Sequence, residues 1–177
     1  MSAYWARGWV YEQKREWDQM LADYTVALRI NPTEAILITG IGFYYYRATP
    51  NDYERAISSF TDAIRINPNR LNAYMARADC YRMLRDYDKA ILDCDSAIRI
   101  NSNWNQIYIV YGTRGVAYHQ KGDNVKALSD LNESIRLNPN YAWAHDARAR
   151  VYKALNRNDL AESDTSTYNR LRAAGYH

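Results

Sequence analysis

Apolar side chains recur along this chain at spacings of three and four, so its segments read as amphipathic helices. The clearest face runs through Met20, Tyr24 and Ala27, and it returns as Ala56, Phe60 and Ala63, as Ala90, Cys94 and Ala97, and as Ala127, Leu131 and Ser134. Each of these faces ends in nearly the same string: ALRINP at residues 27–32, AIRINP at 63–68, AIRINS at 97–102 and SIRLNP at 134–139. Proline cannot continue a helix and biases the residue before it away from helical backbone, so the Asn-Pro step predicts a stop. Ahead of each such helix stands another, marked by a small residue and a tyrosine three later: Gly8 and Tyr11, Gly42 and Tyr45, Ala78 and Tyr81, Gly115 and Tyr118, Ala149 and Tyr152. A small residue at that point lets two helix axes approach closely, and the tyrosine fills the layer beneath.

A repeat of about 34 residues built as helix, turn and helix resembles the tetratricopeptide family. The resemblance covers the whole chain as one domain of five units, at 1–34, 35–70, 71–104, 108–141 and 142–177. It implies an all-α, right-handed superhelical solenoid of antiparallel helix pairs, whose first helices line the concave face and whose second helices form the convex back. The departures are local. The second unit carries two extra residues, placed in the turn at 47–51, where Thr49-Pro50-Asn51-Asp52 is a turn and helix-start signal. An insertion at 103–107 predicts either a longer first helix in the fourth unit or a looser turn before it. Asn124 and Asn158 replace the aromatic residues Trp17, Tyr53 and Tyr87 at the start of the second helix, so packing near those turns is expected to be weaker. Thr165 and Tyr168 replace the usual anchors in the last helix, which reads as a closing cap ending at Gly175.

No comparable cap precedes Trp5 and Trp9. The sequence is therefore expected to be a piece of a larger protein, or a complete one whose first layer is covered by a partner or by a second copy in a homodimer.

Composition adds two constraints. Tyrosine occurs 17 times and phenylalanine twice, which suits thin layers where a ring packs inside and its hydroxyl reaches a wet edge. The net charge of +3 is too small for the concentrated basic face of a nucleic-acid binder, so no nucleic acid is expected as a partner. The apolar runs are too short to insert in a membrane, and no signal sequence opens the chain. Cys80 and Cys94 have neither the number nor the spacing of a disulfide framework or zinc site, and read as buried free thiols. A cytoplasmic setting is the default expectation.

Projecting the first helices onto the concave face selects Trp5, Trp9, Phe43 and Tyr46, then Asn72, Met75, Asp79 and Arg82, then Val116, His119, Trp143 and Arg150 as candidate ligand contacts. The amino-terminal half is aromatic and the carboxyl-terminal half mixed with basic groups, a surface suited to an extended or helical peptide with an apolar anchor near the first two units and polar or acidic residues further along. Arg7, Arg77, Arg114 and Arg148 recur one residue before the small position and read as structural, with their stems along the stack and their heads at its edge. Asp62, Asp93 and Asp130 on the second helices read as solvated or locally paired.

Tetratricopeptide co-chaperones grip the acidic tail of heat-shock chaperones with Lys, Asn and Arg at set positions of three first helices. Here those positions hold Trp5, Trp9, Gly40, Asn72 and Ala76, so this clamp is absent and a chaperone tail is not the expected partner. No phosphate loop, nucleophile elbow or metal-ligand cluster is present, and His145 reads as a core substitute where other units carry Tyr or Ile. The chain is thus expected to be no enzyme, to need no cofactor, and to act as a protein–protein interaction scaffold holding a partner's peptide in its groove. The alternative is a regulatory or targeting module of a multi-domain protein, with intramolecular or self-association contacts.

Overall fold

The computed structural model describes residues 3–48 and 52–176, all of whose regular elements are α-helices. They divide into two compact units, Met1–Leu84 and Arg85–His177. The first holds α1 (Ala3–Lys14), α2 (Trp17–Ile30), α3 (Ala35–Arg47), α4 (Tyr53–Ile66) and α5 (Leu71–Met83). The second holds α6 (Tyr87–Ile100), α7 (Ile107–Gln120), α8 (Asn124–Leu137), α9 (Ala142–Ala154) and α10 (Asn158–Ala173). Within each unit every helix packs on its neighbours in sequence, and α3 also reaches α5 as α7 reaches α9. The expected all-α repeat of helix pairs is what the chain forms.

The helix ends explain the recurring string. Asn31, Asn67, Asn101 and Asn138 each cap a second helix in extended backbone. Each side-chain oxygen then accepts from the backbone N–H two residues on, at 3.0 to 3.3 Å, closing a turn on the asparagine itself. Asn101 makes this turn with Ser102 after it in place of proline, so asparagine is the common element of the stop. Helix starts are capped by Asp52, Asp86 and Asp123, whose carboxylates accept from the N–H three residues later. The Thr49-Pro50-Asn51 part of the expected turn lies outside the described residues. The insertion before α7 goes into the turn: residues 101–106 are non-helical, with Ile107 N–H bonded to the Trp104 carbonyl at 2.9 Å.

The predicted close approaches are present. A Cβ added at Gly8 would lie 2.6 Å from the buried Tyr24 ring, at Gly42 2.5 Å from Phe60, and at Gly115 2.9 Å from Leu131. The cores are correspondingly thin. Ala56, Phe60, Ala63 and Ala73 form one cluster, Met20, Tyr24 and Leu37 a second, and Ala127, Leu131, Ala147 and Val151 a third.

The recurring arginines are structural in a way their spacing alone did not reveal. Arg7 grips Asp23 through two hydrogen bonds of 2.7 Å. Arg114 does the same to Asp130 at 2.7 and 2.8 Å, and Arg148 to Asp164 at 2.7 and 2.8 Å. In every case the acid is sixteen residues further on, across the helix pair, and it is buried. Of the two readings of these acids, solvated or locally paired, Asp130 follows the second, and neither it nor Asp93 is solvated, both being about 6% exposed. Buried carboxylates persist because the planar guanidinium forks onto both oxygens at once. Tyrosine rings complete the strut, Tyr4 under Arg7, Tyr111 and Tyr118 about Arg114, and Tyr152 under Arg148, at 5.5 to 6.0 Å. In the α3–α4 pair the corresponding places hold Ile41 and Ser59, so arginine and acid are missing together.

Candidate functional site

The first helices α1, α3 and α5 bring Trp5, Trp9, Phe43 and Asn72 onto one cleft of about 190 Å³. Its floor is Tyr24, wedged where Gly8 and Gly40 leave room, since a Cβ at Gly40 would stand 2.4 Å from that ring. Trp9 is 49% exposed, far more than a core tryptophan needs to be. Phe43 is half-buried, edge-on to Phe60 at 5.3 Å and beneath the Arg47 guanidinium at 5.2 Å. Four of the twelve expected contacts thus share one recess.

Three more serve one another. The Tyr46 hydroxyl donates to the Asp79 carboxylate, and Arg82 Nε donates to the same group at 2.7 Å. Burial, with the adjacent Asp79 charge, pushes the Tyr46 phenol far up, so it remains a donor. These side chains join α3 to α5 at the edge of the same face, and Met75 lies half-buried on α5.

In the second unit the candidates are spread. Val116 packs against the Ala127–Leu131–Val151 cluster. His119 Nδ1 meets Asn124 Oδ1 at 2.7 Å. Trp143 leans on Tyr141 at 5.7 Å and covers Gly112, where a Cβ would lie 2.9 Å from its ring. Arg150 is exposed and pairs with Asp146 at 2.6 Å. His145 is a buried strut: Nδ1 faces Asp164 Oδ1 at 3.0 Å and Nε2 faces the Pro139 carbonyl at 3.2 Å.

Sequence projection missed Arg70. It is the residue before α5, at the turn between repeats, and so falls outside any helical face. Its half-buried side chain nevertheless lines the aromatic cleft, where Nε donates to Thr39 Oγ1 at 3.2 Å. Thr39 is itself held by donating to the Ala35 carbonyl at 2.7 Å. Glu12 shares the cleft and accepts from the Tyr24 hydroxyl at 2.7 Å. Burial lowers the Arg70 pKa and Glu12 only partly offsets this. A second recess of about 490 Å³ adjoins, walled by Trp5, Ala27, Ile30, Ile36 and Leu37, with Asn31 and Glu34 at its edge. Among the described residues no group of His, Cys, Asp and Glu is placed to hold a metal ion, and no helix is long and apolar enough to cross a membrane.

Residues 48–103 match a tetratricopeptide-repeat family profile and residues 115–156 match another. The chain belongs to the tetratricopeptide-repeat family. Its fold is that of MamA, with a TM-score of 0.78 at 18% identity over 99% of this chain and 97% of that one. A second MamA structure, labelled AMB-1, gives 0.80 at 17% over 98% and 99%. PilF of Pseudomonas aeruginosa gives 0.83 at 16% over 95% of this chain and 74% of that one. No curated protein matches the sequence. The family and the fold make this chain a protein-interaction scaffold of a class that is typically non-catalytic.

Proposed function

We propose that the chain holds a peptide segment of a partner protein against the face made by its first helices, anchored in the α1–α3–α5 cleft. One observation carries the reading: Trp5, Trp9 and Phe43 converge on a recess while Trp9 stays half in water. Aromatic side chains left accessible around a concave site are the usual anchors of peptide recognition. The polar groups around them, Asn72 and Arg70, supply orientation.

The test uses Trp9→Ala, because the exposed ring contributes little to folding, alongside Phe43→Ala. A partner recovered by affinity capture, and the peptide mapped from it, should bind wild type and be lost or weakened by 10-fold or more in Trp9→Ala, at an unchanged melting temperature. Equal binding by the variant removes the cleft from the function.

A further inference from the structure

We propose that the first unit selects a partner segment with an apolar side chain in the recess beside Ile30 and, across one ridge, an internal Asp or Glu carboxylate on Arg70. The inference rests on the groove reading above and specifies its chemistry. The ridge is Trp5 and Ile36, which line both the 490 Å³ recess and the aromatic cleft. On one side the walls are apolar, with Ile30 63% and Ile36 39% exposed at the rim. The volume lies in the range of about 300–1000 Å³ typical of ligand sites.

On the other side stands a guanidinium with little to neutralise it. Among the described residues Arg70 has no carboxylate within ion-pair distance, and its one side-chain hydrogen bond, through Nε, goes to the neutral Thr39 hydroxyl. Thr39 thereby fixes the plane of the fork and leaves its terminal nitrogens for an acceptor. A half-buried cation in such a setting gains most from a bidentate anion. Glu12, already in the cleft, limits that anion's charge. The Glu12 carboxylate repels an incoming anion, and a phosphate dianion more than a single carboxylate.

The position also favours an internal residue over a chain terminus. Arg70 and Asn72 border a further recess of about 220 Å³, walled by Asn67, Asn69 and Leu71. A recess thus lies on either side of the guanidinium, which leaves room for a segment to continue past it.

The probes are N-acetylated, C-amidated 12-residue Gly/Ser peptides bearing one Leu and one Glu separated by one to four residues, with Gln counterparts and with versions of the Gln peptides that end in a free carboxylate, measured by calorimetry. In at least one spacing the Glu peptide should bind wild type about 10-fold more tightly than its Gln twin, a preference that shrinks with salt. Arg70→Gln should erase the preference and keep the weaker Leu-dependent binding, Arg70→Lys should retain part of it, and Ile30→Asp should remove the Leu-dependent part. Melting curves establish that each variant is folded. Equal binding of Glu and Gln peptides, a preference that survives Arg70→Gln, binding only of peptides with a free C-terminal carboxylate, or no binding in the whole series would each overturn the proposal. If Trp9→Ala still abolishes capture of the native partner in any of those cases, the groove reading stands without this subsite.

Discussion

Each guanidinium of Arg7, Arg114 and Arg148 serves two surfaces, a carboxylate at its edge and a tyrosine ring at its face. This accounts for many of the tyrosines: they flank an arginine three residues before or four after it, on the same side of a first helix. The acids carry a pH signature. The Arg7 hydrogen bond, opposed by burial, holds the Asp23 carboxyl below its usual 3.8. For Asp164 burial is the largest influence and pushes upward, but the hydrogen bonds and charges of Arg148 and His145 together outweigh it. A carboxyl whose folded value is depressed contributes its full stability above the unfolded value and loses it as pH falls through the folded one. The urea midpoint should therefore drop below about pH 4. Asp164→Asn should cost about 2–3 kcal/mol at pH 7 and make that acid decline shallower. A variant whose decline stays as steep as wild type would show that the strut is not part of it.

Between elements, the Tyr46–Asp79 hydrogen bond links α3 to α5, two first helices with α4 behind them. A double-mutant cycle with Tyr46→Phe and Asp79→Asn should return a coupling of about 1–2 kcal/mol by urea unfolding. A coupling near zero would mean that the two groups are satisfied separately. Helix identity and order were legible from the chain because four near-identical strings set the phase and one helical face repeats. The struts were equally present, as Arg7 with Asp23 and Arg114 with Asp130 at a constant separation. Their pairing shows only when two helices are set side by side, because on its own helix each arginine or acid has the spacing of an ordinary surface charge. Arg70 was harder to find. A turn residue has no helical period to betray where its side chain goes, and only its neighbours in space place it beside Phe43 and Trp9. Val116 shows a related limit: projection tells which face a residue occupies, and packing decides whether that face is spent on the core.

Taken over the whole chain, stability in stacked repeats is close to a sum of local and nearest-neighbour contributions. Gly42→Ala, which drives a methyl into the Phe60 ring, should cost about 1–3 kcal/mol. Amide hydrogen exchange should quicken in α3 and α4 while α9 and α10 keep their protection. A uniform rise in exchange from α1 to α10 would instead reveal all-or-none cooperativity. The strut also constrains how such a chain can diverge. In the first pair Arg7 is 59% exposed and Asp23 only 6%, so losing the acid frees a cation that water readily hydrates, whereas losing the arginine abandons a negative charge in the interior at about 3–5 kcal/mol. A mutational path from the Arg7–Asp23 pair to one like Ile41 and Ser59 is therefore one-way at its first step: the acid must go first.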